Sequence, residues 1–127
     1  MRPARFVEFV IGVVKNRSTA SHVQTLADAG DTKHPYGVVV TTDREVRWQF
    51  LGQLPEGAKH ENFSDDPVTG APAAGDAPQP GEGPEGWMAA TLLQAEHPEI
   101  AVVERWSTQQ GMTITFHNGA RIFARVM

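Results

Sequence analysis

The stretch TITFHNGARIFARVM, residues 113–127, constrains the fold more than any other part of the sequence. Two runs of alternating residues flank an Asn-Gly pair, which is the pattern of two strands joined by a tight turn. A two-residue turn would pair Phe116 with Arg121, whereas a three-residue loop with Gly119 in the left-handed conformation pairs Phe116 with Ala120. Only the three-residue loop makes one face of the hairpin wholly apolar, so the sequence predicts that register.

The opposite face of this hairpin is polar except for one aromatic residue. It carries Thr113, Thr115, Arg121, Phe123 and Arg125. Because Phe123 has no apolar neighbour on its own hairpin, we expect a second layer or a partner to bury it. Unpaired strand edges are also templates for pairing with another chain. The sequence therefore predicts self-association, as a two-fold homodimer with Phe123 near the contact.

A second hairpin is predicted in YGVVVTTDREVRWQF, residues 36–50. A three-residue loop that pairs Thr41 with Glu45 gives this hairpin one clean apolar face as well. Its loop and polar face contribute two more arginines to a candidate interaction surface, for which the simpler interpretation is a solvated sheet face. The candidate surface consists of Phe123, Arg121, Arg125, Arg44 and Arg47.

Residues 5–14, RFVEFVIGVV, are rich in β-branched and aromatic side chains. Their alternation and propensity favour a strand that is covered on both faces. A helix is the alternative, because Phe6, Phe9, Val10 and Val13 also fit helical spacing.

The next segment, SHVQTLADAG, resembles a short helix over about residues 20–29. Ser21 followed by Gln24 is a capping-box pattern, and Gly30 is suited to a left-handed cap at the end of a helix. Further along the chain, a second helix is predicted from about Glu85 or Trp87 to Glu96. A strand follows it over residues 100–107.

Residues 55–86 differ from the rest of the chain in composition. Twelve of these 32 residues are Pro or Gly, and seven acids against one lysine give the segment a net charge of −6. Such a segment buries too little apolar surface to offset the entropy of ordering it, so we expect a flexible loop inserted into the domain. The remaining ten basic and eight acidic residues give the rest of the chain a net charge of +2, which does not indicate a nucleic-acid-binding surface.

These elements predict one α+β domain over residues 1–127. It has a mostly antiparallel sheet of five to six strands, built from two hairpins plus flanking strands, with two short helices and the long insertion. The predicted core contains Phe9, Ile11, Val38, Val40, Trp48, Phe50, Leu92, Ile114, Phe116 and Ile122. We expect a cytoplasmic protein, because cysteine is absent, Glu8 interrupts the only leader-like apolar run, and no stretch is long enough for a membrane span.

Motifs for catalysis or cofactor binding are missing from the sequence. The absence of cysteine excludes thiolate chemistry and disulfides, and the five histidines show no metal-ligand spacing. His117 is predicted to be an exposed loop residue, since no acidic residue is near it in sequence to orient it as a general base. We therefore expect no catalytic residue, no cofactor and no metal.

The acidic spacer and two sequences near the end of the chain, EIAVVERW and TFHNGARIF, resemble small uncharacterised actinobacterial proteins. Some of those proteins lie in phage-derived or mobile-element gene clusters. The resemblance covers about the last 40 residues and implies an assembly or accessory role, with no site residue carried over. The sequence thus favours a non-enzymatic interaction or assembly module. The alternatives are a small-ligand binder or an enzyme with a site not visible in sequence, and a weak nucleic-acid-binding accessory protein.

Overall fold

A computed structural model describes residues 1–17, 20–54, 68–71, 73, 83–107 and 109–127. The predicted insertion, residues 55–86, falls largely outside these ranges; of its described residues, 83–86 already belong to a helix, and 68–71 and 73 do not. The elements in chain order are α1 (Pro3–Lys15), β1 (His22–Thr25), β2 (Gly37–Thr41), β3 (Glu45–Gln53), α2 (Gly83–Gln94), β4 (Ile100–Arg105), β5 (Gly111–Phe116) and β6 (Arg121–Val126).

All six strands form one sheet in the order β1-β2-β3-β6-β5-β4. Every neighbouring pair is antiparallel, which confirms the predicted α+β class and strand number. The strand β6 lies inside the sheet, between β3 and β5. The edges of the sheet, among the described strands, are therefore β1 and β4, and self-association through an edge of the last strand is not available.

Both predicted hairpin registers are confirmed. In the second hairpin of the chain, Ile114 pairs with Ile122, and Gly119 has a φ of 89° in its three-residue loop. In the first hairpin, Thr41 pairs with Glu45. Each register places apolar side chains on one face, so burial of that face selects the register over the alternative one residue away.

The segment 5–14 is a helix, and the preference for a strand was wrong. Phe6, Val7, Val10 and Val14 are its buried residues, and their spacing is that of one helical face. Pro3 occupies the first turn, where its missing N–H costs nothing. A strand with two apolar faces needs cover on both sides, and α2 would then be the only described helix left to supply it.

The short helix predicted over residues 20–29 was also wrong, because β1 and a turn replace it. Ser21 does not cap a helix; its N–H and its hydroxyl both donate to the carbonyl oxygen of Thr41. Val23 then pairs with Val40 at the sheet edge. Gly30 does adopt a positive φ of 94°, but it closes a turn after β1. His22, within the segment predicted to be helical, begins β1 instead.

The core lies between the two helices and one face of the sheet, which we call the inner face. Both helices contribute buried side chains to this one cluster, as do the five strands β2 to β6. Eight of the ten predicted core residues are buried, whereas Phe9 and Ile11 are half-buried and pack against the cluster. The other side of the sheet, its outer face, receives neither helix.

Candidate functional site

The outer face of the sheet has an apolar centre. Phe123 on β6 lies between its register partners Leu51 on β3 and Thr113 on β5. Leu51 is 49% exposed, and Val102 on β4, beside Thr115, is 42% exposed. Phe123 itself is half-buried. It therefore has a neighbour, Leu51, that the sequence of its own hairpin did not reveal.

Three of the four arginines predicted from sequence share this outer face with Phe123. The register places Arg125 opposite Gln49 and Arg121 opposite Gln53, and Arg47 lies two residues before Gln49 on the same face. The guanidinium of Arg125 donates to the side-chain oxygen of Gln49 at 2.6 Å. These arginines border the apolar centre on β3 and β6 and hold positive charge beside it.

The fourth predicted arginine, Arg44, lies in the exposed loop that joins β2 to β3. It lines a shallow polar depression with Arg47, Gln110 and Met127 at that end of the sheet. Arg47 forms an ion pair of 3.4 Å with Glu45. Arg44 therefore extends the basic character of the surface but is not on the strands that carry its centre.

Trp106 also belongs to the outer face, whereas Trp48 is buried in the core. A Cβ atom built on Gly111 would lie 2.4 Å from the indole of Trp106, so the ring occupies the space above this glycine. The indole N–H donates to the hydroxyl of Thr113 at 2.8 Å. The sequence indicated that Trp106 follows the strand alternation, but it gave no sign that Gly111 leaves room for the ring.

One corner of the outer face is covered by the loop that follows β1. Leu26 and Val39 are both almost completely buried, yet neither belongs to the core cluster between sheet and helices. The N–H of Leu26 donates to the carbonyl oxygen of Gly37, and its side chain lies where a Cβ of Gly37 would be. This loop therefore buries one corner of the outer face, in the way that a second layer of secondary structure would bury all of it.

Asp31 stabilises this loop through hydrogen bonds to residues within it. Its carboxylate accepts the backbone N–H groups of Lys33 and His34 and lies 2.8 Å from the Nδ1 atom of His34. The hydrogen bond from the His34 ring, and next the one from the Lys33 N–H, hold the pKa of Asp31 below its usual value of 3.8. An aspartate bonded to Nδ1 orients a histidine as in general-base dyads. Among the described residues, however, no hydroxyl group hydrogen-bonds to Nε2 of His34.

A second cluster joins α1 to the start of β4, and the sequence did not predict it. The carboxylate of Glu99 is buried and lies 3.0 Å from the guanidinium of Arg5. His97 Nδ1 accepts the N–H of Glu99, so in its neutral form the ring carries its proton on Nε2, which faces the same carboxylate at 3.6 Å. The Nδ1 atom, the acceptor of the neutral ring, is thus already used by the N–H of Glu99. The cluster is a structural tether between helix and sheet.

His117 is exposed at the loop tip, as predicted, and its ring contacts residues of the segment 68–71. Its Nε2 atom lies 2.9 Å from the carbonyl oxygen of Ala71, and its ring covers Gly70. The N–H of Gly70 also donates to the carbonyl oxygen of Pro98. His117 thus anchors the short described segment 68–71 against the end of the sheet.

A cavity of about 440 Å³ lies between the start of α1 and the end of β3. Pro3, Tyr36, Phe50 and Leu54 are among its lining residues, which are mostly apolar. Among the described residues that line it, Arg2 has a charged side chain. This volume falls within the range of roughly 300–1,000 Å³ that is typical of small-molecule sites. None of the three tryptophans is among the described residues that line it.

Comparisons with protein-family models, with curated proteins and with solved structures find no match for this chain. The resemblance to actinobacterial and phage-derived proteins therefore stays a prediction. Within the described ranges, no group of three or more His, Asp or Glu side chains is placed to hold a metal ion. In the same part of the chain, no helix combines the length and apolar character that a bilayer span requires.

Proposed function

We propose that this chain is a non-enzymatic assembly module that forms a homodimer through the outer face of its sheet. The observation that carries the proposal is the apolar pair of Leu51 and Phe123 on a face that neither helix covers, with the exposed Val102 two strands away on the edge strand β4. Large exposed apolar patches with polar borders mark interaction sites in proteins. An assembly role also fits the proposed phage-like or accessory origin, and the absence of cysteine fits a proposed cytoplasmic location.

A second copy suits the size of the outer face. Six strands about 4.8 Å apart, each about six residues long at roughly 3.3 Å per residue, give a face of about 600 Å² in projection. The accessible area of its side chains is larger than this flat projection. A standard interface buries about 800 Å² per partner, so one such face nearly suffices for a specific dimer.

The charges and the register agree with two-fold pairing. Consider a two-fold axis that lies between the two packed sheets, runs parallel to the strands and passes above the gap between β3 and β6. This axis places Phe123 of one copy over Leu51 of the other. The same operation places Arg125 over Gln49, so the arginines meet amides and not one another. Sheets that pack face to face in this aligned manner, about 30° apart, are the common arrangement in sandwiches.

The molar mass measured by light scattering after size exclusion tests this proposal. We expect twice the chain mass for the wild-type protein at about 100 µM, a concentration far above the Kd of a standard interface. Phe123→Asp and Val102→Asp each place an unpaired charge in the contact, and both proteins are expected to elute as folded monomers with unchanged circular dichroism.

Gly12→Asp is the matched control. It adds the same charge on the solvent side of α1, where a side chain meets nothing within 4 Å, and it should leave the dimer intact. A wild-type protein that is monomeric at that concentration contradicts the proposal. A Phe123→Asp protein that unfolds also contradicts it, because Phe123 would then belong to the core of its own chain.

A second candidate function, small-ligand binding, is favoured by the cavity at the start of α1. The two proposed sites share Leu51, which lines the cavity and also pairs with Phe123 on the outer face, whereas Val102 is not among the residues that line the cavity. Weak nucleic-acid binding through Arg44, Arg47, Arg121 and Arg125 remains a further alternative. It predicts affinity for DNA that falls steeply with salt concentration.

A further inference from the structure

We propose that Asn118, in the loop between β5 and β6, is a site of spontaneous deamidation that the folded loop holds in check. This inference goes beyond assembly through the outer face, because it assigns a covalent modification that needs water and no enzyme. Of the three asparagines in the chain, Asn118 is the one that glycine follows. Glycine has no side chain to crowd its own amide nitrogen, so that nitrogen can approach the asparagine side chain with the least hindrance.

The register of the hairpin explains why this labile pair is present. The three-residue loop requires a left-handed residue at its last position, and Gly119 has a φ of 89° there. Other residues adopt that conformation only with strain. The loop that gives the hairpin its apolar face therefore also places a glycine directly after Asn118.

The reaction joins the side chain of Asn118 to the backbone of Gly119. The Gly119 nitrogen gives up its proton and attacks the Cγ atom of Asn118. A bond forms between that nitrogen and Cγ, the bond from Cγ to Nδ2 breaks, and Nδ2 takes up the proton and leaves as ammonia. Water then opens the cyclic succinimide at one of its two carbonyl carbons. The products are aspartate or isoaspartate, in which the backbone runs through the former side chain.

Both reacting groups make hydrogen bonds in the folded loop. The N–H of Gly119 donates to the carbonyl oxygen of Phe116 at 2.9 Å, so the proton that must leave is held inside the loop. The side-chain oxygen of Asn118 accepts the N–H of Ala120 at 2.9 Å, which fixes the orientation of the side-chain amide. Attack requires aligned orbitals on the reacting atoms. The Gly119 N–H must therefore leave Phe116 before its nitrogen can react.

The loop is also held from outside. The N–H of His117 donates to the carbonyl oxygen of Glu99 at 2.9 Å, and its ring Nε2 lies 2.9 Å from the carbonyl oxygen of Ala71. These bonds raise the free energy of opening the loop. When a segment opens and closes faster than the chemical step, the rate of modification is proportional to the open fraction.

The two products differ in how they fit the loop. Aspartate keeps an oxygen that can accept the N–H of Ala120, whereas isoaspartate lengthens the backbone of the loop by a methylene group. The N–H of Phe116 closes the loop on the carbonyl oxygen of Ala120, and burial of the pair Ile114 and Ile122 fixes the register below it. The ladder therefore cannot slip to absorb the extra carbon, and the isoaspartate form is the less stable one.

Peptide mapping by mass spectrometry measures the reaction after incubation at mildly alkaline pH, in native buffer and in urea. We expect modification at Asn118 in both samples, at least about tenfold slower in the native protein, because the open loop is a minor population. Asn16, which precedes Arg17, is the internal reference and should react more slowly than Asn118 in urea, since the arginine side chain crowds the attacking nitrogen.

His117→Ala tests whether the loop is the gate. It removes the contact with Ala71 and leaves the Asn-Gly pair in place. The native rate divided by the urea rate of the same variant should rise about threefold, as the loss of one net hydrogen bond provides. The matched control is His22→Ala, which removes an exposed histidine from β1 and should leave this ratio at the wild-type value.

Thermal unfolding of the separated products tests their difference in stability. Asn118→Asp supplies the aspartate form directly and should melt close to the wild-type protein, whereas the isoaspartate fraction should melt at a lower temperature. The inference is overturned by an unmodified Asn118 in the native protein, by equal native and urea rates, by an unchanged ratio in His117→Ala, or by equal melting temperatures of the two products. Each rate is compared within one variant, so loss of the proposed dimer does not decide the outcome.

Discussion

The inner and outer faces of this sheet are made from the same six strands, yet they differ in almost every physical respect. On the inner face, Ile114 and Ile122 pair beneath the helices and are completely buried. The next pair of the ladder, Thr115 and Arg121, lies on the outer face, where Arg121 is exposed. The difference shows that the register of a hairpin decides both faces at once, the core and the surface left for partners.

The comparison also separates two kinds of apolar residue. Inner-face side chains touch helices of their own chain, whereas Leu51 and Val102 on the outer face remain nearly half exposed. If the outer face is an assembly surface, substitutions there should change oligomeric mass more than the stability of one chain. Substitutions on the inner face should do the reverse.

The largest expected effect is on the inner face. Phe116 is buried, and its ring packs edge-on against Phe6 at 6.1 Å between centroids. Phe116→Ala should lower the free energy of unfolding by about 3–5 kcal/mol, because it removes a buried ring and leaves a cavity. Urea denaturation at low micromolar concentration measures this.

The matched substitution on the outer face is Phe123→Ala. We expect it to cost about 1 kcal/mol in the same experiment, as is usual for a position that is not fully buried. Equal costs for the two substitutions would break the distinction between the faces. A cost below about 1 kcal/mol for Phe116→Ala would contradict the register of the last hairpin.

A smaller effect is expected from Gly111→Ala on the outer face. The new methyl group would lie 2.4 Å from the indole of Trp106 and 2.6 Å from the carbonyl oxygen of Ala124. Since a backbone oxygen cannot move away easily, the strand or the indole must shift, at a cost of about 1–3 kcal/mol. The indole N–H resonance of Trp106 should move as its bond to Thr113 is lost.

The same change at Gly12 serves as the control. Gly12→Ala meets nothing within 4 Å and lies in a helix interior, so it should raise the stability by up to about 1 kcal/mol. A Gly111→Ala protein that is as stable as wild type, with an unchanged indole resonance, would show that Trp106 does not pack on the outer face.

The smallest effect concerns the loop that covers one corner of the outer face. Because the folded-state pKa of Asp31 is lowered, its carboxylate stabilises the fold above its usual pKa of 3.8. That contribution is lost as the pH falls through the lowered pKa. Asp31→Asn should therefore lower the Tm slightly at pH 7, and the difference from wild type should shrink below pH 3.8 until it disappears.

Asp28→Asn, at an exposed position in the same loop, is the reference for this titration. It removes a carboxylate from the same loop and leaves the hydrogen bonds of Asp31 in place. A difference between Asp31→Asn and wild type that persists undiminished at the lowest pH would mean that the side chain acts by its shape and not through its charge.

Local patterns in the sequence sufficed for the hairpins and for most of the core. The alternation around Gly119 and around the Thr41–Glu45 pair left one register with a clean apolar face, and the fold uses it in both cases. Helix α2 was also predicted, because Pro84 and Pro98 mark its two ends. Each of these signals lies within a short stretch of neighbouring residues.

The errors have one common cause, which is that long-range pairing overrides local propensity. Residues 5–14 fit both periods, and only the cover available elsewhere in the domain decides for a helix. Ser21 can cap a helix or bond to Thr41, and the neighbouring strand decides for the second. No local sequence pattern indicates that Glu99 pairs with Arg5, because these residues are 94 positions apart.

The same limit applies to the candidate surface. Arg121, Phe123 and Arg125 could be placed on one face from their alternation alone. That Leu51 would flank Phe123 depends on β3 pairing with β6, which joins segments about 70 residues apart. The cavity beside Arg2 depends on the same kind of distant contact, between the start of α1 and Gly52.

The central place of β6 has a consequence for the synthesis of the chain. The sheet has two halves, β1-β2-β3 and β5-β4, and β6 is the strand that joins them. A ribosome that adds roughly 5–20 residues per second needs roughly 3–14 s to pass from β3 to β6. During that interval β3, which includes Trp48 and Phe50, lacks its neighbour β6 along one edge. We expect the nascent chain to be a chaperone client in this window, and its native sheet to form only when β6 has left the exit tunnel.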